Sequence, residues 1–319
     1  MQEKILEFLK EKQSYVSGEE LSSHLKISRQ ALWKHIQELR EAGYEILAVP
    51  HLGYRLVSLP DRLFPFEISH NLDTKFIGRK ICYFDALPST MDIAMQLGLD
   101  GSAEGTVVIA ETQTKGRGRL GRSWSSPKYK GIYLSLVLRP KILPNASSIL
   151  TLLAAVSLCE AIQEITTLEA RIKWPNDILI HNKKLGGILT ELNAEMDSVR
   201  FIVIGIGINV NNEHKTIPEG ATSLKEQKKE NINRIALVQE ILRKIEANYS
   251  LFQKRTGKES IIDKWRNYNI TLGRKVKVAC QSIHLEGQAL DIDIDGGLLV
   301  RRDCGLVEKV MAGDVVLCR

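Results

Sequence analysis

The densest group of reactive side chains lies in Gln113-Thr-Lys-Gly-Arg-Gly-Arg-Leu-Gly-Arg-Ser-Trp124, where Arg117, Arg119 and Arg122 are interleaved with glycines. Glycine lets backbone N–H groups approach an anion closely. Guanidinium forks donate bidentate, charge-assisted hydrogen bonds to phosphate or carboxylate, each worth about 1.5–3 kcal/mol. This is chemistry for holding anions. Like charges so close together repel, so the loop is expected to stay mobile until an anion neutralises it; the alternative is a solvated basic loop. Residues 116–121 also fit G-x-G-x-x-G, the dinucleotide-binding pattern. However, Ser-Trp-Ser-Ser-Pro follows where a helix should open, and no acid stands about 20 positions on to hold a ribose. A Rossmann site is excluded.

Three further segments bear on ligand binding. Arg171-Ile-Lys-Trp-Pro-Asn-Asp177 leads into a strand, although Trp-Pro-Asn-Asp also reads as a plain turn. In Lys183-Lys-Leu-Gly-Gly-Ile-Leu-Thr-Glu191, Gly186 and Gly187 open an apolar strand, which suggests close approach of a ligand or another backbone. Lys184 beside them would point at that ligand as a compact cation. In Ile204-Gly-Ile-Gly-Ile-Asn209, glycines at a period of two leave one strand face bare, with room for something flat or bulky.

Strand-like and helix-like patterns alternate around these segments. Residues 80–84, 106–110, 132–138, 178–181 and 201–206 read as strands, and 147–165 and 233–252 as the strongest helices. One large domain with a mixed sheet is expected over 66–270. From Thr271 to the C-terminus, short strands at 275–279, 285–292, 298–301, 306–310 and 315–317 are divided by glycine turns, including the hairpin signal Asp295-Gly296. A small SH3-like barrel over 271–319 closes such strands without exposed edges.

Residues 1–60 form a separate pattern, set off by the proline-bearing connector Ser58 to Pro65. Ile5, Leu6 and Leu9 mark an amphipathic helix, and Ser17-Gly-Glu-Glu20 is a capping box for a second. Ser28 can cap a third, in which Leu32, Ile36 and Leu39 share one face while Arg29, Gln30, Lys34 and Gln37 point outward. Trp33 fits either core or surface. Residues 44–49 and 53–57 flank Pro50-His-Leu52 as a two-stranded wing. Helix, tight turn, helix and wing is the winged helix-turn-helix pattern, whose third helix enters the major groove. Ser28, Arg29, Gln30 and Lys34 are the candidate DNA contacts, with Arg40 close behind. A three-helix interaction module that binds no DNA is the alternative, because acids and bases balance from Met1 to Pro60, eight of each.

Composition narrows the class. The chain has 319 residues, 44% hydrophobic and 26% charged, which is ordinary for a globular protein and long enough for two or three domains. No apolar run reaches the roughly 20 residues that span a bilayer, and 149–159 reads as a buried helix. The acidic first residues lack a signal-peptide pattern, so a cytoplasmic protein with no membrane partner is expected. Five scattered cysteines support neither a disulfide framework nor a zinc site. The net charge of +6 is concentrated mid-chain: residues 112–159 hold eight Lys or Arg and no acid. An anionic ligand would be drawn there.

Taken together, Gly-Arg-Gly-Arg-x-Gly-Arg-x-Trp, Lys-Trp-Pro-Asn-Asp, Lys-Leu-Gly-Gly-Ile-Leu and Gly-x-Gly-x-Asn resemble the biotin protein ligases. With the winged helix and the small barrel, the whole chain resembles the bifunctional bacterial biotin ligase and biotin operon repressor. The resemblance implies a two-step reaction. Biotin's carboxylate attacks the α-phosphorus of ATP, carried with Mg²⁺, giving biotinyl-5′-AMP and pyrophosphate; a lysine of a biotin carboxyl carrier domain then takes the biotin and releases AMP. It implies that Lys184 and Arg119 are catalytic, with Lys184 touching both the biotin carboxylate and the α-phosphate. Ser89, Thr90, Gln113, Gly116, Arg117, Gly187 and Gly205 match biotin-contacting positions, although Ser89 and Thr90 also read as a helix N-cap. Arg117, Arg119, Arg122, Trp124, Asn176 and Asn209 match adenylate-side positions, with Trp124 available to stack on adenine. Asn176 or Asp177 is the candidate Mg²⁺ contact, and no other protein metal ligand is expected. The arginines and Lys184 suit this chemistry, because they offset the charge that crowds when a carboxylate meets a triphosphate. No general base for the acceptor amine is evident. The resemblance also implies biotinyl-5′-AMP as corepressor and a ligand-dependent homodimer on two-fold operator DNA.

Two rival readings compete with this one. Lipoate or octanoate transferases share the architecture, but the Gly-Arg loop with Trp-Pro-Asn-Asp points to biotin. A transcription factor that has lost catalysis is not supported, because every ligase motif survives.

Overall fold

The computed structural model describes residues 1–280, 283–311 and 313–317, without the side chains of residues 280, 283 and 284. It divides into a compact N-terminal unit, Met1–Arg62, and a larger one from Leu63 onward.

The N-terminal unit packs α1 (Gln2–Lys12), α2 (Gly18–Leu25) and α3 (Arg29–Glu41) against a hairpin of β1 (Glu45–Val49) and β2 (Gly53–Ser58). The caps form as the sequence predicts. Ser17 accepts from the Glu20 N–H at 3.0 Å and Ser28 from the Ala31 N–H at 3.1 Å. Lys26 turns left-handed at the end of α2 and brings α3 round. Ile5, Leu6, Leu9, Leu21, Leu32, Ile36 and Leu39 are the buried stripe. Gly53 is required at the start of β2: its φ is +104°, and a Cβ there would lie 2.0 Å from the Val16 carbonyl oxygen. This lets Val16 pair with Tyr54 and ties the wing to the turn before α2.

In the larger unit, a short α4 (Pro65–Ser69) precedes a seven-stranded sheet. Its strands are β3 (Ile81–Phe84), β4 (Val107–Ala110), β5 (Gly131–Leu138), β6 (Arg171–Lys173), β7 (Asp177–Ile180), β8 (Lys183–Ala194) and β9 (Val199–Asn209), in the order β3-β4-β5-β9-β8-β7-β6. Only the β3–β4 pair is parallel, so the sheet is mixed. One face carries the main core under α6 (Ser148–Thr166), α8 (Arg234–Phe252) and α9 (Gly257–Tyr268); a short α7 (Leu224–Lys228) lies between β9 and α8. The other face carries a smaller core under α5 (Thr90–Leu99), where Leu87, Met91 and Ala94 meet Val137, Phe201 and Val203. Residues 144–166 are long and apolar enough to cross a membrane, but 72% of the apolar 18-residue window within them is buried inside the protein. It is the central core helix, buried across 149–159 as the sequence predicts.

A fully buried ion pair pins the main core: Arg234 Nη1 donates to Glu111 Oε2 at 2.8 Å and to the Gly131 carbonyl at 3.0 Å. Glu111 Oε1 accepts from the Leu63 N–H at 2.7 Å. The C-terminal strands β10 (Lys275–Cys280), β11 (Ile283–Ile292), β12 (Leu298–Arg301), β13 (Val307–Val310) and β14 (Asp314–Leu317) form one antiparallel ladder in the order β13-β12-β11-β10-β14. Gly296 turns the β11–β12 hairpin at φ +86°, and its carbonyl accepts from Trp174 Nε1 at 3.1 Å. Trp174 of the Lys-Trp-Pro-Asn-Asp segment is therefore a buried clasp between sheet and β-domain. Among the described residues Cys82, Cys159 and Cys304 are free thiols; Cys318 and the Cys280 side chain lie outside the described residues. The architecture is α+β: winged helix-turn-helix, mixed-sheet domain and small antiparallel β-domain.

Candidate active site

The glycines of β8 and β9 make the floor of a cavity of about 260 Å³ on the α5 side of the sheet. Gly187 and Gly207 are register partners. The Trp124 indole lies over both: a Cβ on Gly207 would come within 2.6 Å of the ring, and one on Gly187 within 3.4 Å. A Cβ on Gly205 would meet Met91 Sδ at 2.5 Å. The bare strand face expected from the sequence exists, and Trp124 and Met91 rest on it. Trp124 Nε1 is buried without a hydrogen-bond partner among the described residues, a donor for which the site has no internal acceptor.

One end of the cavity is a chain of neutral polar groups. Gln113 Oε1 accepts from the Thr90 N–H at 2.9 Å and from Thr90 Oγ1 at 3.1 Å, while its Nε2 donates to Ser126 Oγ at 3.2 Å. Ser135 Oγ of β5 donates to Thr90 Oγ1 at 2.8 Å. Ser89 occupies the N-cap position of α5 but makes no capping hydrogen bond. Ser89 thus stands at the N-cap position that the sequence suggests, while its side chain is buried in the cavity wall.

The cations lie along the cavity rather than at one end of it: Arg117 is fastened beside α5 by Asp92 and Glu191, while Lys184 lies beside Asp177 and Trp124. Arg117, Arg119, Arg122 and Lys184 line the same cavity, together with Asn176, Asp177 and Asn209. These cations are not bare, because each has a partner within the protein. Arg117 reaches Glu191 at 3.1 Å and also pairs with Asp92. Burial opposes the Arg117 charge, but its hydrogen bonds to the Glu191 and Asp92 carboxylates outweigh it and hold the guanidinium above its ordinary pKa. Arg119 donates to Asn176 Oδ1 at 3.1 Å and to the Gly313 carbonyl at 3.2 Å. Arg122 pairs with Asp314. Lys184 Nζ lies 2.5 Å from Asp177 Oδ1 and 5.8 Å from the Trp124 ring centre. The loop is fastened by protein carboxylates and carbonyls.

Gly116 alone of the candidate residues stands outside the cavity wall. Its carbonyl accepts from the Trp124 N–H at 2.8 Å, and a Cβ there would strike the Trp124 carbonyl at 2.7 Å. It shapes the loop that carries Trp124. Asn209 is buried, and its Nδ2 donates to the Thr222 carbonyl at 3.1 Å. Sequence reasoning missed Met91, Asp92, Glu191, Asp314 and the wall made by Pro218 to Ala221. The last wall is anchored where the Lys184 N–H donates to the Gly220 carbonyl and the Thr222 N–H to the Lys184 carbonyl. A turn signal, Pro218-Glu-Gly220 just after the Gly-x-Gly-x-Asn strand, was available to suggest it.

In the N-terminal unit, Ser28, Arg29, Gln30 and Lys34 are exposed on one side of α3, with Trp33 57% exposed among them. Arg29 is paired with Glu19 at 2.8 Å. Arg40 does not join this face: its guanidinium donates to the Ile46 carbonyl at 2.9 and 2.6 Å and fixes α3 to the wing.

Comparison with known proteins agrees with this arrangement. The Biotin/lipoate A/B protein ligase family matches residues 83–209, an HTH domain matches 1–55, and the biotin protein ligase C-terminal domain matches 271–317. The bifunctional ligase/repressor BirA of Bacillus subtilis is 41% identical over 95% of this chain and 94% of its own length. That of Escherichia coli is 33% identical over 94% and 92%. Among solved structures, the biotin protein ligase of Aquifex aeolicus in complex with biotin and ATP superposes with a TM-score of 0.64 at 31% identity, covering 76% of this chain and 99% of that one. With its cavity, its N-terminal helix-turn-helix and relatives matched nearly end to end, the chain belongs to the family of bifunctional biotin protein ligases and repressors.

Proposed function

We propose that this chain is an ATP-dependent biotin protein ligase that also acts as a biotin-responsive transcriptional repressor. The observation that carries the ligase reading is convergence: Arg117, Arg119, Arg122 and Lys184 come from two separate segments and line one cavity together with Ser89, Thr90 and Gln113. The neutral polar chain suits a ureido group, the glycine floor suits a compact ring, and the cations along the wall suit a carboxylate beside a phosphate.

The paired state of the cations gives the mechanism its shape. Each cation is held in place by a protein acceptor before substrate arrives, so little reorganisation is needed when an anion replaces that partner. Lys184, drawn from Asp177, spans the biotin carboxylate and the α-phosphate and lowers the repulsion between them. Arg119 and Arg122 take the phosphate oxygens that leave as pyrophosphate, and Arg117 closes the loop over the acid. The unpartnered Trp124 N–H is available to an acceptor on the adenylate, while the ring covers the reacting anhydride from water. Asn209 holds the Pro218–Ala221 wall against the nucleotide side.

Magnesium enters as part of the nucleotide. Asp177 is the carboxylate nearest Lys184 and could add one oxygen ligand. Its two oxygens already serve Lys184 and, at 3.9 Å, Lys173, so Asp177 would hold the ion only by giving up one of these pairs. The acceptor in the second step is a lysine of a biotin carboxyl carrier domain. We assign residues 1–60 to DNA recognition through Ser28, Arg29, Gln30 and Lys34, 66–270 to catalysis, and 271–319 to closing the catalytic loop. Biotinyl-5′-AMP is the corepressor, acting through a homodimer on operator DNA.

The test is incubation of the protein with biotin, MgATP and a carrier domain, followed by mass analysis of protein and nucleotide. Biotin added to one carrier lysine with AMP and pyrophosphate formed is the expected result. Lipoate driving pyrophosphate release as well as biotin does would overturn the choice of acid.

A further inference from the structure

Met91 is a side chain that the motifs did not single out and that lines the cavity wall. It lies in the first turn of α5, directly after Ser89 and Thr90, and is only 3% exposed. Its thioether fills the space that the absent side chain of Gly205 leaves on β9: the nearest atoms to a Cβ there are Met91 Sδ at 2.5 Å and Met91 Cγ at 3.1 Å. Both residues line the cavity with Leu189. Methionine is unbranched and adapts its shape to its surroundings. A flexible wall packed on a bare strand sets how much ring the cavity admits.

We propose that Met91 is a specificity-determining residue for the acid substrate, fixing the width of the ring subsite through its packing on Gly205. This rests on the ligase reading above and adds the residue that selects among acids. A methyl group at position 205 has no room beneath the thioether, so Gly205→Ala pushes Met91 into the cavity and narrows it. Shortening Met91 restores the room, and in the presence of Gly205 it leaves a subsite wider than the native one. One methylene of fit in an apolar subsite changes selectivity by roughly tenfold or more.

The experiment measures acid-dependent pyrophosphate release from ATP with biotin and with biotin sulfone, whose ring carries two extra oxygens. Wild type, Gly205→Ala, Met91→Ala and the double variant are compared, each checked for a cooperative thermal melt. Gly205→Ala is expected to raise KM for biotin roughly tenfold with a smaller effect on kcat, and the double variant to recover most of that loss. Met91→Ala is expected to reduce the preference for biotin over its sulfone by roughly tenfold. If Met91→Ala does not fold, Met91→Val, a smaller side chain that still fills part of the core, replaces it in both comparisons. A double variant no better than Gly205→Ala, or an unchanged biotin-to-sulfone preference, overturns the assignment of Met91. Absence of biotin-dependent pyrophosphate release in the wild type overturns the ligase reading instead.

Discussion

At the level of single residues, the site is built from charges that already have partners. Lys184 holds Asp177 at 2.5 Å, so removing its amine both deletes the cation proposed to face the reacting anions and leaves Asp177 without this partner. Lys184→Met should therefore lower kcat/KM for biotin-dependent pyrophosphate release by about 10²–10³-fold, as loss of a preorganised charge does, while the melting temperature changes little. Carrier labelling that persists undiminished in this variant removes the proposed role. The Glu111–Arg234 pair works differently. Both side chains are 0% exposed, and breaking such a pair strands a charge in the core. Arg234→Met or Glu111→Leu alone should cost about 3–5 kcal/mol, and the double variant distinctly less than the sum of the two. Denaturant unfolding of the three variants measures this, and additive losses would mean the two groups act independently.

At the level of elements, periodicity and capping chemistry made the fold readable where interactions are local. Ser17 and Ser28 cap their helices within three residues, and apolar strands such as β5 and β9 appear as runs because both faces are buried. The cavity's glycines and cations could be read from their motifs for the same reason. What could not be read depends on pairs far apart in the chain. Glu111 and Arg234 are 123 residues apart, and Arg117 and Glu191 are 74 apart. No local pattern marks which carboxylate will neutralise which arginine. The β11–β12 hairpin combines both cases. Asp295-Gly296 signals the turn, but the residue that holds it is Asp293, which accepts from the Gly297 N–H at 2.8 Å and the Asp295 N–H at 3.1 Å and pairs with Lys309 on β13. Burial would raise the Asp293 pKa, but Lys309 and these N–H groups outweigh it and hold the carboxyl below its ordinary value. A carboxyl depressed in the folded state contributes stability above its unfolded pKa, near 3.9, and loses it as pH falls through the folded value. Asp293→Asn should cost about 1–2 kcal/mol at pH 7, and its deficit against wild type should shrink below about pH 4. Thermal melts across pH 2.5–8 check this, and a deficit that stays constant through acid would assign the loss to turn geometry rather than to charge.

At the level of the whole molecule, the location of charge decides how DNA binding can be controlled. The net charge is +6, yet residues 1–60 contribute none of it, because their acids and bases balance. On the exposed face of α3, Arg29 is already shared with Glu19, which leaves Lys34 as the main cation near the predicted base contacts. Phosphate contacts supply most of the affinity for a duplex, so one such unit should hold DNA weakly. Two units joined in a dimer bind as one ligand, and linkage of this kind raises affinity by about 10²–10⁴ without any new contact. A molecule whose dimerisation follows adenylate formation would then be silent without biotin and tight with it. A near-neutral reading head is what permits that range: a strongly basic one would bind with or without the ligand. We expect biotin with MgATP to raise affinity for a two-fold site, selected from a random duplex library, by at least about 10²-fold, with the protein sedimenting as a dimer under the same conditions. Lys184→Met should lose this response, because it fails to make the adenylate. Apoprotein that binds the selected site as tightly as the loaded protein would show that the charge balance of the N-terminal unit does not limit its affinity, and the switch would have to be abandoned.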